Sequence, residues 1–170
     1  MPKTWLLPLV AALALPAAHA DEPRGEIALQ IAPGGLSNDG RRLRAISYDR
    51  DVRGGWWIGG SLGYGNVMSG DDSDGVYAVV RLRHRFAPIQ SALGLQPQFG
   101  IEYGGTSDIG DSVDMLGAYV GGYWPLSTEL GFTTDLWVGH ARFDDKGLLG
   151  NDVKRSGTLT MVRFGLAFPF

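Results

Sequence analysis

From residue 26 onward, apolar side chains recur at every second position over most of the chain. A period of two places alternate residues on opposite faces of a β-strand, and eight segments show it. A first strand over residues 26–32 sets Ile27, Leu29 and Ile31 against Glu26, Ala28 and Gln30. The second, residues 41–50, fits worst: Leu43, Ala45 and Ser47 compete with Ile46 and Tyr48, and a bulge would shift its register. The third, 56–66, sets Trp56, Ile58, Leu62 and Tyr64 against Gly59, Ser61, Gly63 and Gly65. The fourth, 76–86, sets Ala78, Val80, Leu82 and Phe86 against Tyr77, Arg81, Arg83 and Arg85. The fifth, 95–103, sets Leu95, Phe99, Ile101 and Tyr103 against Gln96, Gln98, Gly100 and Glu102. The sixth, 113–124, is ambiguous in face, with Leu116, Val120 and Trp124 sharing one parity. The seventh, 129–142, sets Leu130, Phe132, Leu136 and Val138 against Glu129, Gly131, Thr133 and Asp135. In the last, Val162, Phe164, Leu166, Phe168 and Phe170 alternate with Arg163, Gly165, Ala167 and Pro169. No helix-period segment competes after residue 20.

Eight strands joined by short connectors predict an all-β, antiparallel, up-and-down barrel. An even count returns both ends to the same side. The connectors on the far side, residues 33–40, 67–75, 104–112 and 143–156, are longer on average than the turns at 51–55, 87–93 and 125–128. Transmembrane barrels show the same asymmetry.

Residues 1–20 read as a signal peptide. Lys3 supplies a positive start, an apolar run follows from Trp5 to Leu15, and Ala18-His19-Ala20 is a small-x-small cleavage site before Asp21. The run is too short to span about 30 Å of hydrocarbon as a helix. The expected mature domain is residues 21–170. Of the 15 Lys and Arg, Lys3 lies in the leader, which leaves fourteen against 18 Asp and Glu, a net charge of −4. That balance argues against nucleic acid as a partner. The chain has no Cys, which excludes disulfides and a lipid anchor on cysteine. No later apolar run reaches 18 residues, so a closed barrel is the one way left to cross a membrane with every backbone group paired.

The final strand carries a more specific signal. Arg163, Gly165, Phe168 and Phe170 give a polar residue, a Gly two later, and aromatics at the third-last and last positions. This resembles the C-terminal assembly signal of bacterial outer-membrane β-barrels. Gly also clusters on the polar face, where a small barrel is crowded (Gly59, Gly63, Gly65, Gly100, Gly165). Aromatics sit at strand ends on the apolar face, like two interfacial girdles (Trp56, Tyr64, Phe86, Tyr103, Trp124, Phe168, Phe170). All three features put the apolar face outward, toward lipid, rather than inward as in a lipocalin-like soluble barrel.

The polar face then lines the lumen with Glu26, Gln30, Arg81, Arg83, Gln96, Gln98, Glu102, Glu129, Asp135 and Arg163. Buried charges need partners. Arg81, Arg83 and Arg163 with Glu102 and Asp135 are the ion-pair candidates, and they predict a plugged lumen rather than an open pore.

Catalytic signals are thin, and no catalytic or cofactor-binding residue is assigned. Outer-membrane lipid A deacylases set the most relevant test: they carry a His with a Ser two residues later on the penultimate strand, and a nearby Glu. His140 is on the right strand, but Arg142 occupies the Ser position and no Glu follows Glu129. The alternative reading of His140 and Arg142 is an interfacial pair near lipopolysaccharide phosphates. His84 is expected at the periplasmic interface. Ten of the fourteen Asp fall in or within two residues of the expected outer loops: Asp39, Asp71, Asp72, Asp74, Asp108, Asp111, Asp114, Asp144, Asp145 and Asp152. Asp favours turns because its side chain bonds the local backbone. It also supplies hard oxygen ligands for divalent cations. Asp71, Asp72 and Asp74 resemble a fragment of a calcium loop without its distal Glu.

In architecture the mature chain resembles the small Gram-negative outer-membrane barrels: the OmpX and opacity-type proteins and the OmpA transmembrane domain. The resemblance implies an integral outer-membrane protein, inserted by the barrel-assembly machinery and in contact with outer-membrane lipid and lipopolysaccharide. Roles in that superfamily include adhesion, envelope integrity and stress resistance, and a structural, adhesive or envelope-related role is expected here, for a monomer with no cofactor. A lipid A deacylase-like enzyme and a narrow solute channel are the alternatives.

Overall fold

A computed structural model describes residues 25–33, 42–66, 75–90, 93–107, 112–146 and 152–170. The leader and Asp39, Asp71, Asp72, Asp74, Asp108 and Asp111 lie outside them. Eight strands follow in chain order: β1 Gly25–Ala32, β2 Arg42–Arg53, β3 Trp56–Asn66, β4 Gly75–Arg85, β5 Gln96–Ser107, β6 Ser112–Pro125, β7 Gly131–Lys146 and β8 Asp152–Pro169. Each pairs antiparallel with the next, and β8 pairs with β1, so the sheet closes into an up-and-down barrel.

The register fixes the barrel's shape. Starting at Ile27, the paired positions run through Tyr48, Gly60, Val80, Tyr103, Leu116 and His140 to Thr158 on β8. Ile27 itself pairs with Phe168, ten residues further along β8. A shear of ten over eight strands tilts them by about 40° and leaves an interior that side chains can fill.

Alternation decides what points where. Ile27, Leu29, Ile46, Leu62, Leu82, Ile101, Leu116, Val120, Leu136, Val138, Phe164 and Leu166 are exposed on the outer surface, while Glu26, Asp49, Arg81, Arg83, Glu102, Asp135 and Arg163 are buried within. The ambiguous second strand places Leu43, Ala45, Ser47 and Asp49 inward and Ile46 and Tyr48 outward. Its register breaks only between Asp51 and Arg53, beyond the contested stretch. On β6, Met115, Tyr119 and Tyr123 point inward.

The interior is divided. Toward the loop end lies an apolar cluster that includes Leu43, Tyr77, Val79, Val113, Met115, Trp137, Leu159 and Met161. Large rings fit because the facing strands carry glycine. A Cβ on Gly117 would come within 2.3 Å of the Trp137 indole, and one on Gly139 within 2.4 Å.

Two expectations are corrected. Glu129 does not line the lumen: it is exposed in the turn between β6 and β7, where its N–H donates to Ser127 Oγ at 3.2 Å, and β7 begins only at Gly131. The far-side connectors are also shorter than the composition suggests. Asp114, Asp144, Asp145 and Asp152 belong to strands, because pairing continues to Lys146↔Asp152 and Ser112↔Asp144.

Candidate functional site

Charged residues gather at one place in the barrel, the half of the lumen nearer the short turns. β4 contributes three inward arginines, Arg81, Arg83 and Arg85, two residues apart as strand geometry requires. Glu26 comes from β1, Asp49 from β2, Gln98 and Glu102 from β5, Asp135 from β7 and Arg163 from β8. Four guanidinium groups meet four carboxylates.

The contacts form a ring. Arg81 grips Asp49 with two nitrogens, Nε at 2.6 Å from Oδ1 and Nη2 on Oδ2, a bidentate geometry that suits guanidinium and carboxylate. Arg83 reaches Asp49 at 3.3 Å and Glu26 at 3.1 Å, and its Nη1 lies 3.5 Å from Gln98 Oε1. Gln98 Nε2 donates to Asp135 at 2.8 Å. Asp135 lies 3.7 Å from Arg163 Nη2, and Arg163 Nη1 donates to both Glu102 oxygens at 2.8 and 2.7 Å. Glu102 stands 3.8 Å from Arg81 Nη1, which closes the circuit. Arg85 branches off to Glu26 at 2.9 Å.

The two remaining strands shape the space. A Cβ on Gly59 of β3 would strike Asp49, and one on Gly121 of β6 would strike Asp135. Trp57 of β3 lies under the Arg83 and Arg85 guanidiniums at 5.0 and 4.9 Å. From β6, Tyr123 lies 3.9 Å from Arg85 and Tyr119 4.9 Å from Arg163. Every strand therefore contributes either a charge or the room and ring faces that a charge needs.

Arg81, Arg83, Arg163, Glu102 and Asp135 are thus brought together. Asp49, Glu26 and Arg85 complete the ring and its branch. Asp49 was hidden by the confused alternation of β2. Its one sequence signal is parity: it follows Leu43, Ala45 and Ser47 at intervals of two. Gln96 is half-buried at the turn end. Of the terminal pattern, Arg163 and Gly165 face inward, whereas Phe168 and Phe170 are exposed on the outer side.

His140 and Arg142 both lie exposed on the outer face of β7 near the loop end. Register sets His140 opposite Thr158 and Arg142 opposite Ser156. His140 makes no hydrogen bond with a described residue. His84 points outward near the short turns, among the rings of Trp56, Phe86 and Phe99 at 4.8, 4.7 and 5.7 Å. Among the described residues no group of three or more His, Asp and Glu could hold a metal ion.

The fold and site define a closed eight-stranded antiparallel barrel with an ion-paired lumen and an apolar exterior. No protein-family model matches the chain, and no curated protein does. Among solved structures it is similar to a major outer membrane protein from Thermus thermophilus, with 16% identity over 86% of this chain and 99% of that one, at a TM-score of 0.44.

Proposed function

We propose that the chain is an integral outer-membrane barrel, exported and inserted from the periplasm, with a lumen closed by ion pairs and a structural or surface-contact role. The observation that carries this is the outer face. Apolar residues are exposed on every strand around the closed sheet. Soluble monomers rarely expose a contiguous apolar patch beyond about 300–600 Å². Here the patch encircles the molecule.

Its height supports the same reading. On the β4 side the outward positions Val76, Ala78, Val80, Leu82, His84 and Phe86 are apolar but for His84, which three aromatic rings surround. Ten residues at 3.3 Å rise and a tilt of about 40° span about 25 Å. That is the height of the apolar band in known outer-membrane barrels. Phospholipid and lipopolysaccharide are the partners this surface would take, the barrel-assembly machinery the agent that inserts it, and the loop end the side that faces outward.

The role is non-enzymatic in this reading, because the charged groups neutralise one another instead of facing a substrate. The test is flotation of the refolded protein with lipid vesicles, paired with gel mobility before and after boiling. A vesicle-bound, faster-running unboiled species is expected. A monodisperse protein, stable without detergent and absent from the vesicle fraction, overturns the proposal. Steady single-channel conductance in planar bilayers would separately overturn the closed lumen.

A further inference from the structure

At the loop end the outer face of β2 departs from the apolar rule. β2 presents Arg42 and Arg44 outward at the loop end, both exposed, with Ile46 and Tyr48 below them. Arg44 pairs with Ile31 on β1 and with Tyr64 on β3, and the row continues to Val76 on β4. All three neighbours are exposed apolar or aromatic positions. The Arg44 guanidinium therefore sits at the upper rim of the apolar belt, not above it. Arg42 lies one step higher on the same face, about 7 Å away by strand rise.

A cation at the edge of hydrocarbon needs a counter-charge. Neither arginine forms an ion pair with a described residue. Of the described carboxylates on β1 and β2, Glu26 and Asp49 are sealed inside the barrel, and Asp51 lies at the opposite, turn end of β2. The contrast with β7 is instructive. Arg142 also lies on the outer face toward the loop end, but register places Asp114 directly opposite it. The β7 cation has an acidic neighbour on its own surface, whereas among the described residues the β2 pair has none.

We propose that Arg42, Arg44 and Tyr64 form a binding site for the phosphate of a phosphorylated glycolipid in the outer leaflet. Two guanidinium groups present paired donors that match phosphate oxygens, and Tyr64 adds a hydroxyl beside them. The acyl chains would run down the adjacent apolar faces of Ile31, Ile46 and Leu62, which are exposed in the same two rows. This inference rests on the membrane reading above and names the lipid contact that reading leaves general. It also moves the phosphate contact from His140 and Arg142 to β2.

The experiment is native mass spectrometry of the detergent-solubilised full-length mature protein, titrated with a bisphosphorylated lipid A-type glycolipid. Its dephosphorylated form, phosphatidylglycerol and inorganic phosphate serve as comparison probes. Wild type should retain the bisphosphorylated glycolipid at least about tenfold better than each of the others, since charge-assisted contacts are lost in the first case and glycolipid contacts in the rest. R42Q/R44Q should lose about tenfold or more of that retention, and R142Q should stay within about twofold of wild type. Equal retention by R42Q/R44Q and wild type overturns the site. Equal binding of the dephosphorylated glycolipid or of phosphatidylglycerol overturns the ligand. Gel mobility of unboiled R42Q/R44Q confirms that the barrel is intact. Failure of the membrane reading itself is distinguishable, because the wild type would then remain monodisperse without detergent.

Discussion

Replacing Arg163 by Met tests the interior ring at its most connected point. Arg163 is 2% exposed and holds Glu102 through contacts of 2.7 and 2.8 Å. Methionine keeps much of the length and removes the charge. Glu102 would keep only Arg81 at 3.8 Å and the Tyr77 hydroxyl at 3.5 Å. Asp135 would retain Gln98 at 2.8 Å. Removing one partner of a buried pair costs about 3–5 kcal/mol, because the other charge stays desolvated. That is a large share of a total stability of about 5–15 kcal/mol. The companion variant R163M/E102Q removes both charges and keeps the interior neutral, so it should recover to within about 1–2 kcal/mol of wild type. Equilibrium urea unfolding of vesicle-inserted protein, followed by tryptophan emission and by unboiled gel mobility, measures both. A single variant within about 1 kcal/mol of wild type refutes the ring as a stabilising unit. So does a double variant no better than the single one.

Gly139→Val should destabilise by about 1–3 kcal/mol in the same unfolding assay, because the added carbons collide with Trp137, and G139V/W137L should regain part of the loss. Ile101→Arg puts a cation on the outer face of β5, below Tyr103, and should cost about 2–4 kcal/mol in vesicles; a neutral outcome there means that this face does not meet hydrocarbon. Glu129→Gln, in the exposed β6–β7 turn, should leave unfolding midpoints within about 0.5 kcal/mol of wild type; a loss comparable to that of R163M would return Glu129 to the lumen.

Strand positions and the direction of most faces were legible because alternation has a period the eye can count. β1 and β5 have large apolar residues on one side and charged, amide or small residues on the other, and their faces read without ambiguity. The ring's chemistry was legible in kind: arginines and carboxylates on one face had to meet. Which carboxylate takes which arginine was not, since partners such as Arg83 and Glu26 lie far apart in sequence and come together across the lumen. The start of β7 lies later than parity suggests, for a local reason. The peptide around Glu129 carries the right parity for an inward residue, but the turn at Leu126–Leu130 closes with backbone bonds from Leu126 and Ser127 to the Leu130 carbonyl, and the strand begins after it.

The ambiguities in β2 and β6 have a common physical origin in the divided interior. Alternation is a contrast between two environments, and it vanishes where both are apolar. Near the loop end the lumen is filled by Val113, Met115 and Tyr119 from β6, whose outer face carries Leu116 and Val120, and both faces look alike in a sequence. On β2 the apolar lumen goes further and inverts the contrast, with Leu43 and Ala45 inward and Arg42 and Arg44 outward. The contrast returns where the lumen turns ionic, and there β2 carries Asp49, at the position that fixes its face. A single buried charge thus carries more directional information than three apolar neighbours. In a barrel of this kind the face of an unclear strand is best read from its rarest inward residue, here an aspartate whose partners, Arg81 and Arg83, had already been placed.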